Sequence, residues 1–182
     1  VSTYAIRNGL MDIGVKENEF ILYSKLMDSK SLFLTGNADT VYYISVVDLS
    51  NGPMVFHSPP GALGVIDDMW FRWVTDFGLP GADRGNENGG KYLLVGPGYD
   101  GTLPEGGFII RKARTSRVLV LGRSFLTDND PAPTVAIIKN AIKLYPYTPG
   151  GTGTSIGSYL TGEAPKLGQS QKPMSPRWVE GT

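Results

Sequence analysis

The chain has 182 residues, 41% hydrophobic and 19% charged, and its formal net charge is zero at pH 7. This length suits one globular domain with its own core, and the balanced charge argues against nucleic acid or an anionic membrane as a partner. The absence of cysteine excludes disulfides and zinc ribbons, and the single histidine excludes histidine-rich metal sites. We therefore expect no cofactor, no metal and no membrane span, and we find no signal peptide at the start of the chain.

The first predicted element is a helix over Ser2–Gly14. Ile6, Leu10 and Ile13 recur at spacings of four and three, which places them on one face of a helix. Gly14 is typical of the position just after a helix, where a left-handed backbone is common.

Short segments rich in β-branched and aromatic residues follow, separated by turns that contain Gly, Pro and Asn. The predicted strands are Phe20–Ser24, Ser31–Leu34, Thr40–Asp48, Met54–Ser58, Gly64–Thr75, Lys91–Val95, Gly107–Lys112 and Arg117–Ser124. The pattern predicts a mainly β fold, a β-sandwich or jelly-roll-like domain with two peripheral helices. A glycine-rich loop over Gly78–Gly90 is long enough to be functional or mobile.

The last third of the chain contains the second predicted helix, and after it the composition changes. Pro133–Leu144 carries an apolar stripe of Val135, Ile138 and Ile142, and prolines suit its first turn. From residue 147 to residue 182 the sequence is rich in Gly and Pro and has no sustained period. We expect a β-rich domain over 1–146 and an extended linker arm over 147–182, with Tyr147, Tyr159 and Trp178 as its anchors.

The richest cluster of candidate site residues lies in the predicted strand Gly64–Thr75. If this is one strand, Asp68, Trp70 and Arg72 share a face and Asp67 lies on the other. An aromatic floor with convergent polar groups suits a sugar or a planar ligand. The alternative is a structural Asp–Arg pair with the aromatic side chains in the core.

Further candidates occur singly. Asn37 and Asp39 precede a strand and either hold a turn or face a cleft. Arg123 near the end of an apolar strand is either a rim residue or a cation that reaches inward. His57 is either a general base or a hydrogen-bonded residue at a strand end. The glycines of Gly96–Gly101 and Gly150–Ser155 lack the context of a nucleotide-binding loop.

Several separated segments together resemble one family. They are Leu32–Tyr42 (LFLTGNADTVY), Asp48–Val55 (DLSNGPMV), Gly89–Gly101 (GGKYLLVGPGYDG), Leu121–Phe125 (LGRSF) and Tyr145–Tyr147 (YPY). In this order they are similar to the motifs of the domain of unknown function 1254 family. Gly36 departs from that pattern, since many relatives have another small residue there.

The resemblance implies an organisation and a location. Members are usually longer, with a helical stretch before this region and a second β-rich domain, of the unknown-function 1214 type, after it. Most are bacterial and many are exported, which implies a periplasmic or cell-envelope location. The family provides no established catalytic residues to carry over.

Two functions remain open at this stage. The first is a module that binds a small or saccharide-like ligand, or acts as a scaffold, within a homo-oligomer; its candidate ligand-binding residues are Asn37, Asp39, Asp68, Trp70, Arg72 and Arg123. The second is a carboxylate-based enzyme on a similar substrate, in which Asp39, Asp67 and Asp68 supply acid and base. Convergence of these side chains in one pocket would favour the enzyme.

Overall fold

A computed structural model describes residues 2–29, 31, 36–150 and 159–162. Within these residues the chain forms two helices and ten strands. In chain order they are α1 (Ser2–Asp12), β1 (Phe20–Tyr23), β2 (Thr40–Asp48), β3 (Met54–His57), β4 (Leu63–Asp68), β5 (Trp73–Gly78), β6 (Lys91–Val95), β7 (Ile109–Lys112), β8 (Arg117–Phe125), α2 (Pro131–Ala141), β9 (Lys143–Pro146) and β10 (Tyr159–Gly162).

The strands form two sheets that pack face to face. One has six strands in the order β10-β1-β2-β8-β4-β5, and the other has four in the order β7-β6-β3-β9. Their inner faces share one apolar core, in which the rings of Phe56 and Phe77, from opposite sheets, lie 5.1 Å apart edge to face. The expected mainly β, sandwich-like fold is confirmed.

The helices cover different parts of the sandwich. Leu10 of α1 and Ile13, which directly follows the helix, pack on the outer face of the six-stranded sheet, against Ile21 and Ile44. Ile138 of α2 joins the core between the sheets. Asp130 caps α2, because its carboxylate accepts a hydrogen bond from the backbone N–H of Ala132 at 2.9 Å. Among the described residues, no helix has both the length and the apolar character needed to cross a membrane.

Most predicted elements form near their expected bounds, two differ, and a third cannot be compared because it lies almost wholly outside the described residues. The predicted helix over Pro133–Leu144 ends at Ala141, because the next residues pair with β3 as strand β9. The predicted single strand over Gly64–Thr75 is wrong: it is the hairpin β4–β5, with a turn at residues 69–72. The predicted strand Ser31–Leu34 lies outside the described residues apart from Ser31.

One stretch of the predicted arm, for which we expect little regular structure, forms a short strand. Residues Tyr159–Gly162 form β10, which pairs in parallel with β1 and completes that edge of the larger sheet. Pairing of this kind uses backbone groups, so a segment rich in glycine can take part in it. Tyr147 packs on its own domain, with its ring 5.8 Å from that of Phe108. The Tyr159 side chain and Trp178 lie outside the described residues.

Candidate ligand-binding surface

The predicted site residues fall at two ends of the six-stranded sheet. Strand β8 shows the separation, because Arg123 pairs with Leu63 at one end of β4 and Val118 pairs with Asp68 at the other. Five residues of strand span about 17 Å. The group at the first end is Asn37, Asp39 and Arg123, and the group at the second is Asp67, Asp68, Trp70 and Arg72. The two groups do not converge on one pocket.

Asn37 and Asp39 form a turn before β2. The Asn37 side-chain oxygen accepts from the backbone N–H of Asp39 at 3.0 Å and from the Thr40 hydroxyl at 2.8 Å. The Asp39 side chain is exposed. Of the two interpretations left open by the sequence, the geometry agrees with the structural one, a turn held by an Asn side chain.

Asp68 organises the tip of the β4–β5 hairpin. Its buried carboxylate accepts from the backbone N–H groups of Trp70 at 2.9 Å and Arg72 at 3.0 Å, and from Nε of Arg72 at 2.8 Å. Burial by itself raises the pKa of a carboxyl, but these donors together hold the pKa of Asp68 below its usual range. Asp68 and Arg72 thus meet across a turn and not along one strand face, and Asp68 has a structural role.

Three aromatic side chains are exposed at the hairpin tip, whereas the sequence analysis predicts them in a pocket floor or in the core. Trp70 is 69% exposed, Phe71 57% and Trp73 60%. Leaving a large apolar side chain in water forgoes about 1.5–3 kcal/mol of burial free energy. Clustered exposed aromatic groups mark a contact surface, and here a turn fixed by Asp68 presents them.

A cleft of about 370 Å³ lies on the outer face of the same sheet. It is lined by Tyr42, Leu63, Gly64, Val65, Pro80, Leu121, Gly122 and Arg123. Side chains alternate along a strand, so Leu63, Val65, Leu121 and Arg123 all point to this face. Helix α1 covers β1, β2 and the Leu119 part of β8, and the Thr3 hydroxyl at its start donates to the Met69 carbonyl at 3.1 Å. The cleft has an apolar floor and a half-buried guanidinium at one end.

Two carboxylates continue this face toward the hairpin tip. Asp76 pairs with Val65, and Asp67 pairs with Trp73, so all four side chains share the outer face with the cleft. Burial, and then the neighbouring carboxylates of Asp68 and Asp76, raise the pKa of Asp67. The surface therefore runs from a cation at Arg123, past an apolar floor, the partly exposed Asp76 and the nearly buried Asp67, to the indole of Trp73. We call it the outer strip.

The glycine-rich loop between β5 and β6 is tied down by a residue that the sequence analysis missed. The Asp83 carboxylate accepts from the Ser58 hydroxyl, the backbone N–H of Gly78 and the Tyr92 hydroxyl, each at 2.7 Å. These contacts join the ends of three strands. No local pattern distinguishes Asp83 from the other polar residues of the loop, since its partners lie 5, 9 and 25 residues away and meet only when three strand ends come together.

His57 lies on the other sheet, away from the outer strip. Its Nε2 is 2.9 Å from the Tyr145 hydroxyl on the neighbouring strand β9. Within the described part of the chain, no three side chains of the histidine, cysteine, aspartate or glutamate type come close enough to hold a metal ion.

Comparison with known proteins shows similarity at the level of fold and family. The crystal structure of the VPA0106 protein from Vibrio parahaemolyticus superposes with a TM-score of 0.61 at 16% identity, over 92% of this chain. The chain spans 39% of the length of that protein. A search of curated proteins finds no match. A family model described as "Protein of unknown function (DUF1254)" matches residues 17–146, and the chain belongs to this family.

Proposed function

We propose that the domain is a binding module that takes a saccharide-like ligand along the outer strip. The observation that carries this proposal is the arrangement of side chains on one sheet face: the half-buried cation of Arg123, an apolar floor, the partly exposed Asp76, the nearly buried Asp67 and the exposed indole of Trp73. From Arg123 to Leu119, the residue of β8 that pairs with Asp67, is about 14 Å of strand. An elongated ligand fits this shape better than a compact one.

The chemistry of the strip suits a ligand with polar edges and apolar faces. Leu63 and Val65 offer a flat apolar floor, and Trp73 an exposed aromatic face, for the carbon-bound hydrogens of a sugar ring. Arg123 donates hydrogen bonds, and the partly exposed carboxylate of Asp76 accepts them from hydroxyl groups. Anchors at both ends of the strip set the orientation of the ligand.

A panel of neutral and uronate-containing oligosaccharides, measured by calorimetry, tests the proposal. We expect Arg123→Gln and Trp73→Ala each to weaken binding of the best ligand about tenfold, which corresponds to about 1.4 kcal/mol. Lys139→Gln and Ile137→Ala remove a similar charge and a similar exposed apolar group from α2, and should leave binding unchanged. Equal losses in the α2 variants, or no binding across the panel, would contradict the proposal.

The raised pKa of Asp67 favours a second candidate, a carboxylate-based enzyme on the same ligand class. Two neighbouring carboxyl groups whose environments differ can divide the roles of general acid and general base. Here the partner of Asp67 is Asp76, on the same face and one strand away, and not Asp39 or Asp68. Release of shorter saccharides that stops in Asp67→Asn, while binding persists, would assign the domain to this class.

We also propose that the domain works in the cell envelope, in a homo-oligomer and beside a second domain. The family resemblance supports this, as does the span of the chain, which covers 39% of the VPA0106 protein. The exposed Trp70 and Phe71 lie at the hairpin tip, where a neighbouring domain or subunit can cover them.

The mass in solution tests the assembly. We expect light scattering to report a multiple of the 19.7 kDa chain, and Trp70→Ser with Phe71→Ser to return the monomer mass. The matched control is Leu79→Ser, because Leu79 is also exposed but directly follows the far end of β5. A monomer in the unaltered chain would contradict self-association through the tip.

A further inference from the structure

Three residues form a row across one end of the four-stranded sheet. His57 on β3 pairs directly with Lys91 on β6 and with Lys143 on β9. Directly paired residues share a face and neighbouring strands are about 4.8 Å apart, so the two lysines flank the imidazole. Both lysine side chains are exposed, and within the described residues neither forms an ion pair.

Lys91 and Lys143 place a positive charge on each side of His57, and neither lysine forms an ion pair with a described residue. The two charges disfavour a third one on the imidazole between them. Burial, followed by the charges of Lys91 and Lys143, lowers the pKa of His57 to about 4. At neutral pH the row therefore consists of two ammonium groups with an uncharged imidazole between them.

A tyrosine orients the imidazole. The Tyr145 hydroxyl lies 2.9 Å from Nε2 of His57, and the two rings are 5.5 Å apart. The Tyr145 O–H can donate to Nε2, and in the tautomer that accepts this bond the imidazole hydrogen lies on Nδ1. Nδ1 has no hydrogen-bond partner among the described residues, so in that tautomer it is available as a donor.

We propose that Lys91, His57 and Lys143 bind a tetrahedral oxyanion, phosphate or sulfate, either free or as the end group of a larger molecule. The two ammonium groups supply the charge, and the Nδ1–H of His57 supplies a directed hydrogen bond between them. This site lies on the four-stranded sheet and is separate from the outer strip, so it does not depend on the proposed function.

Because the chain contains one histidine, its imidazole reports the site directly. The groups that face it are Lys91 on β6 and Lys143 and Tyr145 on β9. We expect NMR titration of the full chain with inorganic phosphate at pH 6.5 to shift the His57 ring signals saturably. An anion between the lysines also raises the pKa of His57 toward its ordinary value near 6.5.

Sodium chloride at matched ionic strength separates binding from screening, since screening alone acts on both lysines without saturation. A second titration uses glycerol phosphate. Tighter binding of this ester than of inorganic phosphate indicates that the natural ligand carries the oxyanion as an end group, and the reverse order indicates that it is the free anion. Equal effects of phosphate and chloride on the ring signals would overturn the proposal.

Charge variants provide an independent check. Lys91→Gln with Lys143→Gln should abolish the saturable shift, while Lys112→Gln with Lys139→Gln, the same charge change at other exposed positions, should keep it. Retention of the shift in the first pair would overturn the site. The phosphate titration of the unaltered chain tests the proposed site even if a variant does not fold.

Discussion

Replacing Gly122 by alanine should destabilise the domain by about 3 kcal/mol, since overpacking a filled core costs about this much. Gly122 and Gly64 lie opposite each other in β8 and β4, and on the core side two aromatic rings cover them. A Cβ on Gly122 would lie 2.1 Å from Cε2 of Tyr43, and a Cβ on Gly64 would lie 2.0 Å from Cζ of Phe77. Both rings are fully buried, so neither can move aside without disturbing the core.

Urea unfolding of Gly122→Ala and Gly64→Ala measures this loss. Gly9→Ala is a matched control of opposite sign: Gly9 is exposed in the middle of α1 with nothing near its missing Cβ, and alanine there should stabilise by about 0.5–1 kcal/mol. Midpoints for Gly122→Ala close to that of the unaltered chain would mean that Tyr43 does not pack on the glycine pair.

Asp68→Ala should cost about 2–3 kcal/mol and release the hairpin tip. The buried carboxylate accepts hydrogen bonds from two backbone N–H groups and from the Arg72 guanidinium, and bonds that involve a charged group contribute about 1.5–3 kcal/mol. Arg72 is half exposed and water replaces part of its loss, which keeps the estimate below that for a fully buried pair. The same change should quicken hydrogen exchange at residues 69–72.

The contribution of the Asp68 carboxylate to stability depends on its ionisation and therefore on pH. The folded pKa of Asp68 lies below the ordinary value of 3.8, so its contribution to stability is complete above pH 3.8 and is lost as pH falls through the folded pKa. The difference between Asp68→Ala and the unaltered chain should therefore shrink below pH 3.8. Asp100→Ala, at an exposed position without a hydrogen bond in the described structure, should change stability by less than about 0.5 kcal/mol. A constant difference at all pH values would contradict the ionic role.

The outer strip and the hairpin tip differ from the site that the sequence predicts because of one turn. Side chains alternate between two faces in one continuous strand and also in each of two strands joined by a turn. The sequence pattern over Gly64–Thr75 therefore did not reveal that the chain reverses at residues 69–72. The turn is held by the Asp68 carboxylate, which accepts hydrogen bonds from backbone groups that follow it. Because of this turn, Trp70 lies at an exposed tip and not in the predicted pocket floor.

Local sequence patterns were sufficient to predict a helix or strand wherever the structure of the segment depends mainly on its own residues. The strands Thr40–Asp48 and Lys91–Val95 form with the expected bounds because β-branched and aromatic residues favour a pleated backbone between turn residues. The capped α2 begins near its prolines for a similar reason, and separated motifs were enough to indicate the family that the match over residues 17–146 then showed.

Only the tertiary structure decided which side chains meet. Arg123 and Asp68 lie at opposite ends of the same strands because the register of β8 against β4 separates them, and register depends on the whole core. Asp83 gains its partners, and Lys91, His57 and Lys143 form a row, through pairing between strands that are distant in sequence. A sequence determines local conformation through short-range sterics and hydrogen bonds, whereas a site of this kind is made by long-range pairing that no local pattern encodes.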